Sequence, residues 1–179
     1  ITFTNKAAAE MRERVDKMAG PAAKDVWLFT FHAFCARVLR RDIDKLGQYS
    51  NNFAIYDTTD TKNLIKQILK EMNLDEKRFQ PAGIIGRISN AKNELLGVKE
   101  FAAQAGDFYE EKVAQIYEAY EGKLRANNAV DFDDLLLVTY HLLSEDADVL
   151  NHYATKFEYI HIDEFQDTNT IQMDIASLL

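Results

Sequence analysis

The sequence predicts an α/β protein, predominantly helical, in which a partial parallel sheet is interrupted by an all-helical insertion. Three observations carry that expectation. Short apolar runs of strand type lie near both ends of the chain, at residues 1–4, 26–29 and 159–162, and none falls within residues 51–128. Each run is followed along the chain by a helical pattern, the order that builds parallel sheets rather than hairpins. Only two prolines and seven glycines punctuate the 179 residues, too few for a chain made of many turns.

The elements follow in order. Residues 5–18, rich in Ala, Glu, Met and Arg, read as a helix closed by Gly20-Pro21. Residues 31–46 read as a second helix, with Phe34, Val38 and Leu39 on one face and Arg37, Arg40 and Arg41 largely elsewhere. Three more helices fill the insertion. Asp57 or Thr58 caps one bearing Leu64, Ile65, Ile68, Leu69 and Met72. Pro81 opens the next, with Ile84, Ile85, Ile88, Leu95 and Leu96. Asp107 opens a longer one with Val113, Ile116, Tyr117, Tyr120 and Leu124. Beyond it, Asp131 caps a helix reaching residue 143, and another spans residues 148–155. Thr168 or Asn169 starts the last, with Ile171, Ile175 and Leu178 on one face. Residues 1–50 and 129–179 are therefore expected to form one α/β unit, and residues 51–128 the helical insertion.

Composition narrows the setting. No apolar run approaches the roughly 18 residues that span a bilayer. The single Cys35 has no partner for an internal disulfide, which fits a reducing cytoplasm. The net charge of −8 is unevenly spread. Residues 1–45 carry nine Lys/Arg against six Asp/Glu, whereas residues 128–179 carry one against eleven. The first segment can face phosphates and the last suits a cation, although solvated helix faces produce similar runs.

The most informative stretch is Tyr159-Ile160-His161-Ile162-Asp163-Glu164-Phe165-Gln166-Asp167-Thr168-Asn169. An apolar strand that releases two adjacent carboxylates at its C-terminal end puts them where open α/β sheets bind ligands. In nucleotide hydrolases the first such carboxylate anchors Mg²⁺ and the second takes a proton from the attacking water. An acidic pair here can also be a simple helix cap. The run of polar residues from Gln166 to Asn169 goes beyond what a cap needs.

Two further stretches place small polar residues at helix N-termini, where free N–H groups favour anions. One is Thr2-Phe3-Thr4-Asn5-Lys6, in which Phe3 could stack on an unpaired base or simply join the core. The other is Thr30-Phe31-His32, with Arg37 one to two turns on. Asp131, Asp133 and Asp134 are either added metal ligands or an acidic first turn that complements the helix dipole, and the second reading is favoured. His141, His152 and His161 lack metal-ligand spacing. Gly122-Lys123-Leu124 lacks the earlier Gly and the Ser/Thr of a phosphate loop, so no such loop is present.

Together these blocks resemble the UvrD/Rep/PcrA family of superfamily 1 DNA helicases over essentially the whole chain. Residues 2–8 with Glu10-Met11-Arg12-Glu13-Arg14 are similar to motif Ia, and Thr30-Phe31-His32 with Arg37 to motif Ib. Val130-Asp131-Phe132-Asp133-Asp134-Leu135 matches a further block, and Asp163-Glu164-Phe165-Gln166-Asp167-Thr168-Asn169 matches motif II, the Walker B element. The order of four blocks makes the resemblance specific. Ala91-Lys92-Asn93-Glu94-Leu95-Leu96 and Leu39-Arg40-Arg41-Asp42-Ile43-Asp44 bring it closest to the PcrA-type branch of Gram-positive bacteria.

The resemblance implies a partial RecA-like motor subdomain (1A) carrying a helical 1B insertion. It implies an ATP-driven, 3′-to-5′ single-strand translocase that unwinds duplex DNA in repair or replication, in the bacterial cytoplasm at the nucleoid. Asp163 would hold Mg²⁺, Glu164 would be the catalytic base, and both would border ATP. Thr2, Phe3, Thr4 and Asn5 would line the strand track, with Thr30 and His32 near backbone phosphates. The expected partners are single-stranded DNA, the single-strand/duplex junction, nucleotide and the remaining helicase domains of a longer parent chain. Ala33 stands where family members often carry Ser, so no hydroxyl contact is carried over there. Without a phosphate loop the chain alone is expected to be inactive toward ATP.

Other readings stay open at this point. One is the helicase subunit of a recombination helicase–nuclease. Another is a metal-dependent nuclease built from Asp131, Asp133, Asp163 and Glu164. A third is a non-catalytic DNA- or protein-interaction module, whose Lys62, Lys66 and Lys70 recur along one helix face.

Overall fold

The computed structural model describes residues 1–179. It is a mostly helical α/β structure with a small parallel sheet. Thr4 accepts a hydrogen bond from the Ala7 amide and starts α1 (Asn5–Ala19). Gly20, at φ 55°, ends that helix, and a 3₁₀ stretch over Gly20–Asp25 follows. Thr30 caps α2 (Phe31–Asp42) through the Ala33 amide. Each such cap contributes about 1 kcal/mol. The expected helix over residues 31–46 is regular only to Asp42 and tightens to 3₁₀ over Ile43–Leu46.

The middle of the chain holds β1 (Ala54–Ile55), α3 (Thr58–Glu71), α4 (Pro81–Asn93), α5 (Val98–Ala103) and α6 (Phe108–Ala126). Asp57 caps α3 in a full capping box, and Asp107 caps α6. Two expectations fail here. The stretch is not strand-free, because β1 pairs in parallel with β2 (Ala129–Val130), Ala54 opposite Ala129 and Ile55 opposite Val130. Two residues are too short for a periodic signal, and their pairing partner lies far along the sequence. Leu95 and Leu96 also fall outside the helix opened by Pro81. Leu95 takes a left-handed φ of 59°, turning the chain into the short α5 that periodicity did not reveal.

The strand pair joins the entry and the exit of this middle segment. Asn128, at φ 46°, fastens the same place with its side chain. Its amide donates to Ser50 Oγ (2.7 Å) and Asn52 Oδ1 (3.1 Å), and its Oδ1 accepts from the Ser50 amide at 2.8 Å. The last part contains α7 (Phe132–Glu145), α8 (Ala147–Lys156) and α9 (Thr170–Leu178), capped by Asp131, Asp146 and Asn169 respectively.

Two apolar cores result. One joins α2, α7, α8 and α9 through side chains such as Phe34, Val38, Leu39, Leu142, Tyr153 and Ile175. The other joins α3, α4 and α6 through Ile65, Ile68, Ile84, Ile88, Ile116 and Tyr117. Cys35 lies wholly inside the first, and burial pushes its thiol up to about 12, so it is an inert core residue. No helix is long and apolar enough to cross a membrane.

The expected strands at 26–29 and 159–162 do not form a regular ladder. They flank residues 1 and 2 with a parallel hydrogen-bond pattern. Ile1 N donates to His161 O (2.6 Å) and Ile1 O accepts from Asp163 N (2.9 Å). Thr2 N donates to Phe29 O at 3.0 Å, and Thr2 bridges Thr30 in parallel. The pairing has the direction of a parallel sheet without a regular ladder.

Candidate functional site

Those few bonds fix the geometry that matters. They place residues 161–163, 1–2 and 29–30 side by side, pointing the same way. All three segments therefore deliver their next residues at one edge: Asp163-Glu164, Thr4-Asn5 with α1, and Thr30-Phe31-His32 with α2. Ligands of parallel α/β sheets bind at this edge, beyond the C-terminal ends of the strands.

Asp163 and Glu164 are both exposed. Asp163 lines an open cavity of the chain together with Ile1, His161 and Ile162. Glu164 sits in the left-handed region at φ 50°, ψ 45°, which is uncommon for a residue with a side chain. Such conformations persist only where surrounding bonds hold them. Here the Asp167 amide donates to Glu164 O at 2.9 Å, and the Gln166 side-chain amide donates to Glu164 Oε2. Thr168 closes the turn by donating its hydroxyl to Phe165 O at 2.7 Å. Asn169 then caps α9 in a capping box with Gln172.

The residues expected along a strand track differ in exposure. Thr2 is buried, and its hydroxyl donates to Thr4 O at 3.2 Å, so it shapes the turn and presents no side chain outward. Phe3 is half-buried with its ring 5.8 Å from Phe31, part of the core margin. Thr4 and Asn5 are exposed at the start of α1. Thr30 is buried and its hydroxyl is taken by the cap.

His32 is half-buried and stacks on Phe132, with ring centroids 4.1 Å apart. Burial lowers its pKa from the ordinary histidine value and so favours the neutral ring, against an opposing pull from the Asp133 carboxylate. Phe132 was not singled out from sequence, yet it is more than half exposed and forms the outer face of that stack. Its position directly after the capping Asp131 was the available signal.

The Asp131, Asp133 and Asp134 cluster resolves into structural bonding. Asp131 and Asp134 form the capping box of α7 and are buried. Lys92, at the end of α4 and 1% exposed, lies 2.8 Å from Asp131, 2.6 Å from Asp134 and 2.8 Å from Glu121. Tyr120 donates its hydroxyl to Asp131 Oδ2 at 2.8 Å. Asp133 accepts from the Asn93 amide at 3.1 Å. Asp131 is thereby committed to Lys92 and Tyr120, and no group of three or more His, Cys, Asp or Glu side chains converges as a metal site. Lys92 had no visible partner in sequence, because its three carboxylates lie 29 to 42 positions away, the separations of Glu121 and Asp134 from it.

The UvrD/REP helicase N-terminal domain model matches residues 1–179. The chain is 52% identical over its full length to the ATP-dependent DNA helicase PcrA of Bacillus subtilis strain 168. It is 48% identical over the same length to the PcrA proteins of Staphylococcus aureus Mu50 and Staphylococcus epidermidis. It spans 24% of the length of each of these relatives. The chain therefore belongs to the UvrD/REP helicase family, and within it to the N-terminal domain type.

Proposed function

We propose that this chain is the part of an ATP-dependent DNA helicase that supplies one wall of the nucleotide site and one bank of the single-strand track. The observation that carries the reading is the common edge at which Asp163-Glu164, Thr4-Asn5 and His32 emerge from three adjacent parallel segments. Residues 1–50 and 129–179 are read as part of a RecA-like 1A subdomain and residues 51–128 as 1B, a division supported by the two separate apolar cores. Movement is assigned as 3′-to-5′, with a single-strand/duplex junction as substrate, in bacterial DNA repair or replication.

In this reading Asp163 holds Mg²⁺ and Glu164 is the base. Asp163 suits a hard cation that keeps most of its water, since such ions take one or two carboxylates rather than a protein cage. Bound Mg²⁺ supplies charge neutralisation on the phosphates of ATP. The Gln166 amide fixes the Glu164 carboxylate through Oε2, leaving Oε1 to accept a proton from a water molecule. On the DNA side, Thr4 and Asn5 lie at a helix N-terminus, where amide groups favour a phosphate. Neutral His32, stacked on exposed Phe132, offers a hydrogen-bonding ring edge beside an aromatic face.

Single-stranded DNA should stimulate ATP hydrolysis by the full-length helicase that carries this segment. Turnover indifferent to DNA would sink the assignment. The recombination helicase–nuclease alternative draws on the same motifs, and a DNA-cleavage assay on that full-length protein separates the two.

A further inference from the structure

Asn93, the last residue of α4, hydrogen-bonds to two separate places, the first turn of α7 and the cap of α9. Its Nδ2 donates to Asp133 Oδ1 at 3.1 Å and to Ser89 O at 2.8 Å. Its Oδ1 accepts from Asn169 Nδ2 at 2.7 Å. Asp133 lies in the first turn of α7, beside the Phe132 ring that stacks on His32. Asn169 caps α9 and ends the turn that begins at Glu164. One carboxamide therefore spans the distance between the His32 face and the Glu164 turn, and it comes from the middle, helical segment of the chain.

Its placement is firm. The preceding Lys92 donates hydrogen bonds to Asp131 and Asp134 of the same α7 turn, so the end of α4 cannot slide along that helix without breaking buried hydrogen bonds. Leu95, at φ 59°, turns the chain away immediately afterwards. Both the donor and the acceptor end of its amide are committed to partners.

Building on the proposed function, we propose that Asn93 is a positioning residue through which DNA at the His32–Phe132 face adjusts the Glu164 turn. A strand pressing on Phe132 shifts the first turn of α7. Asp133 carries that shift to the Asn93 amide, and Asn169 passes it to the end of the turn that holds Glu164. Contact of this kind qualifies as coupling only when both sites respond to a change in the link.

The test uses the full-length helicase carrying this segment and an oligo-dT strand, with ATP turnover measured with and without DNA. Asn93→Asp places two carboxylates where one amide donor met one acceptor. It should reduce DNA stimulation about three- to tenfold, with kcat and KM for ATP in the absence of DNA unchanged. Combining Asn93→Asp with Asp133→Asn exchanges donor and acceptor while keeping both bonds possible, and stimulation should return. Equal loss with and without DNA, no loss, or failure of the paired variant to recover overturns the proposal. Absence of stimulation in the unmodified protein would instead overturn the underlying helicase reading.

Discussion

The Lys92 ammonium lies 2.6 Å from the Asp134 carboxylate, both 1% exposed, and so ties the end of α4 to the first turn of α7. Asp131 and Glu121 complete the surroundings at 2.8 Å each. Three carboxylates around one cation leave an excess of negative charge in a place that water does not reach. Burial and these neighbours push Asp134 up to about 8 and hold Lys92 well above its ordinary value. Glu121 Oε1 has no aligned hydrogen-bond donor, so its contact with Lys92 is ionic only.

Replacing Lys92 with Met should destabilise the chain by about 3–5 kcal/mol, since it leaves buried carboxylates without their cation. Urea denaturation of the isolated chain reads this directly. A loss below about 1 kcal/mol, the range of exposed ion pairs, would show that the cluster is wetter than the structure places it.

Asp134 also sets a pH dependence. The unfolded chain releases this proton near 3.8, whereas the folded chain keeps it to about 8. Between those values the folded state binds more protons, so this contribution is full below 3.8 and is lost as pH rises through 8. Lys92 stays charged across the window and adds no slope of its own. Urea midpoints at pH 5 and pH 8 should therefore differ more for the unmodified chain than for Asp134→Asn. Equal differences would remove Asp134 as the cause.

His32 titrates in the opposite sense. Its lowered pKa means that the folded state favours the neutral ring, and the associated stability is lost as pH falls below 6.5. Its imidazole signals should titrate with a midpoint below 6.5 in an NMR series. Asp133→Asn should lower that midpoint further by removing the carboxylate that favours the charged ring. A midpoint above 6.5 contradicts the burial of this ring.

The isolated chain should bind single-stranded DNA weakly and with strong salt dependence, and should not hydrolyse ATP. With about three phosphate contacts, affinity should fall on the order of tenfold between about 50 and about 200 mM salt. Salt-independent binding would dismiss the strand-track assignment, and DNA-stimulated turnover by this chain would refute its expected inactivity.

Long-period features were legible in the sequence. The helices of α3, α4 and α6 announced themselves through apolar spacing and through Asp57, Pro81 and Asp107 at their starts. The Asp163-Glu164 pair was visible because an apolar run ended in it. What escaped was either too short or too distant to leave a local pattern. The two-residue strands β1 and β2 have no periodicity, and their pairing joins Ala54 to Ala129. The roles of Lys92 and Asn93 depend on carboxylates and an amide brought near by folding alone. Thr2 was expected to line the strand track by resemblance, and the fold buries its side chain beside the bridge to Thr30, which sequence alone does not reveal.

The most direct measurement compares DNA-stimulated ATP hydrolysis by the full-length helicase carrying Glu164 with that of its Glu164→Gln variant, with nucleotide and DNA binding measured alongside. A positioned general base contributes on the order of 10²–10⁴ in rate. A loss of that size with both binding steps intact is the predicted result and places Glu164 at the chemistry. Unchanged turnover would make the Asp163-Glu164 turn structural and contradict the proposed site.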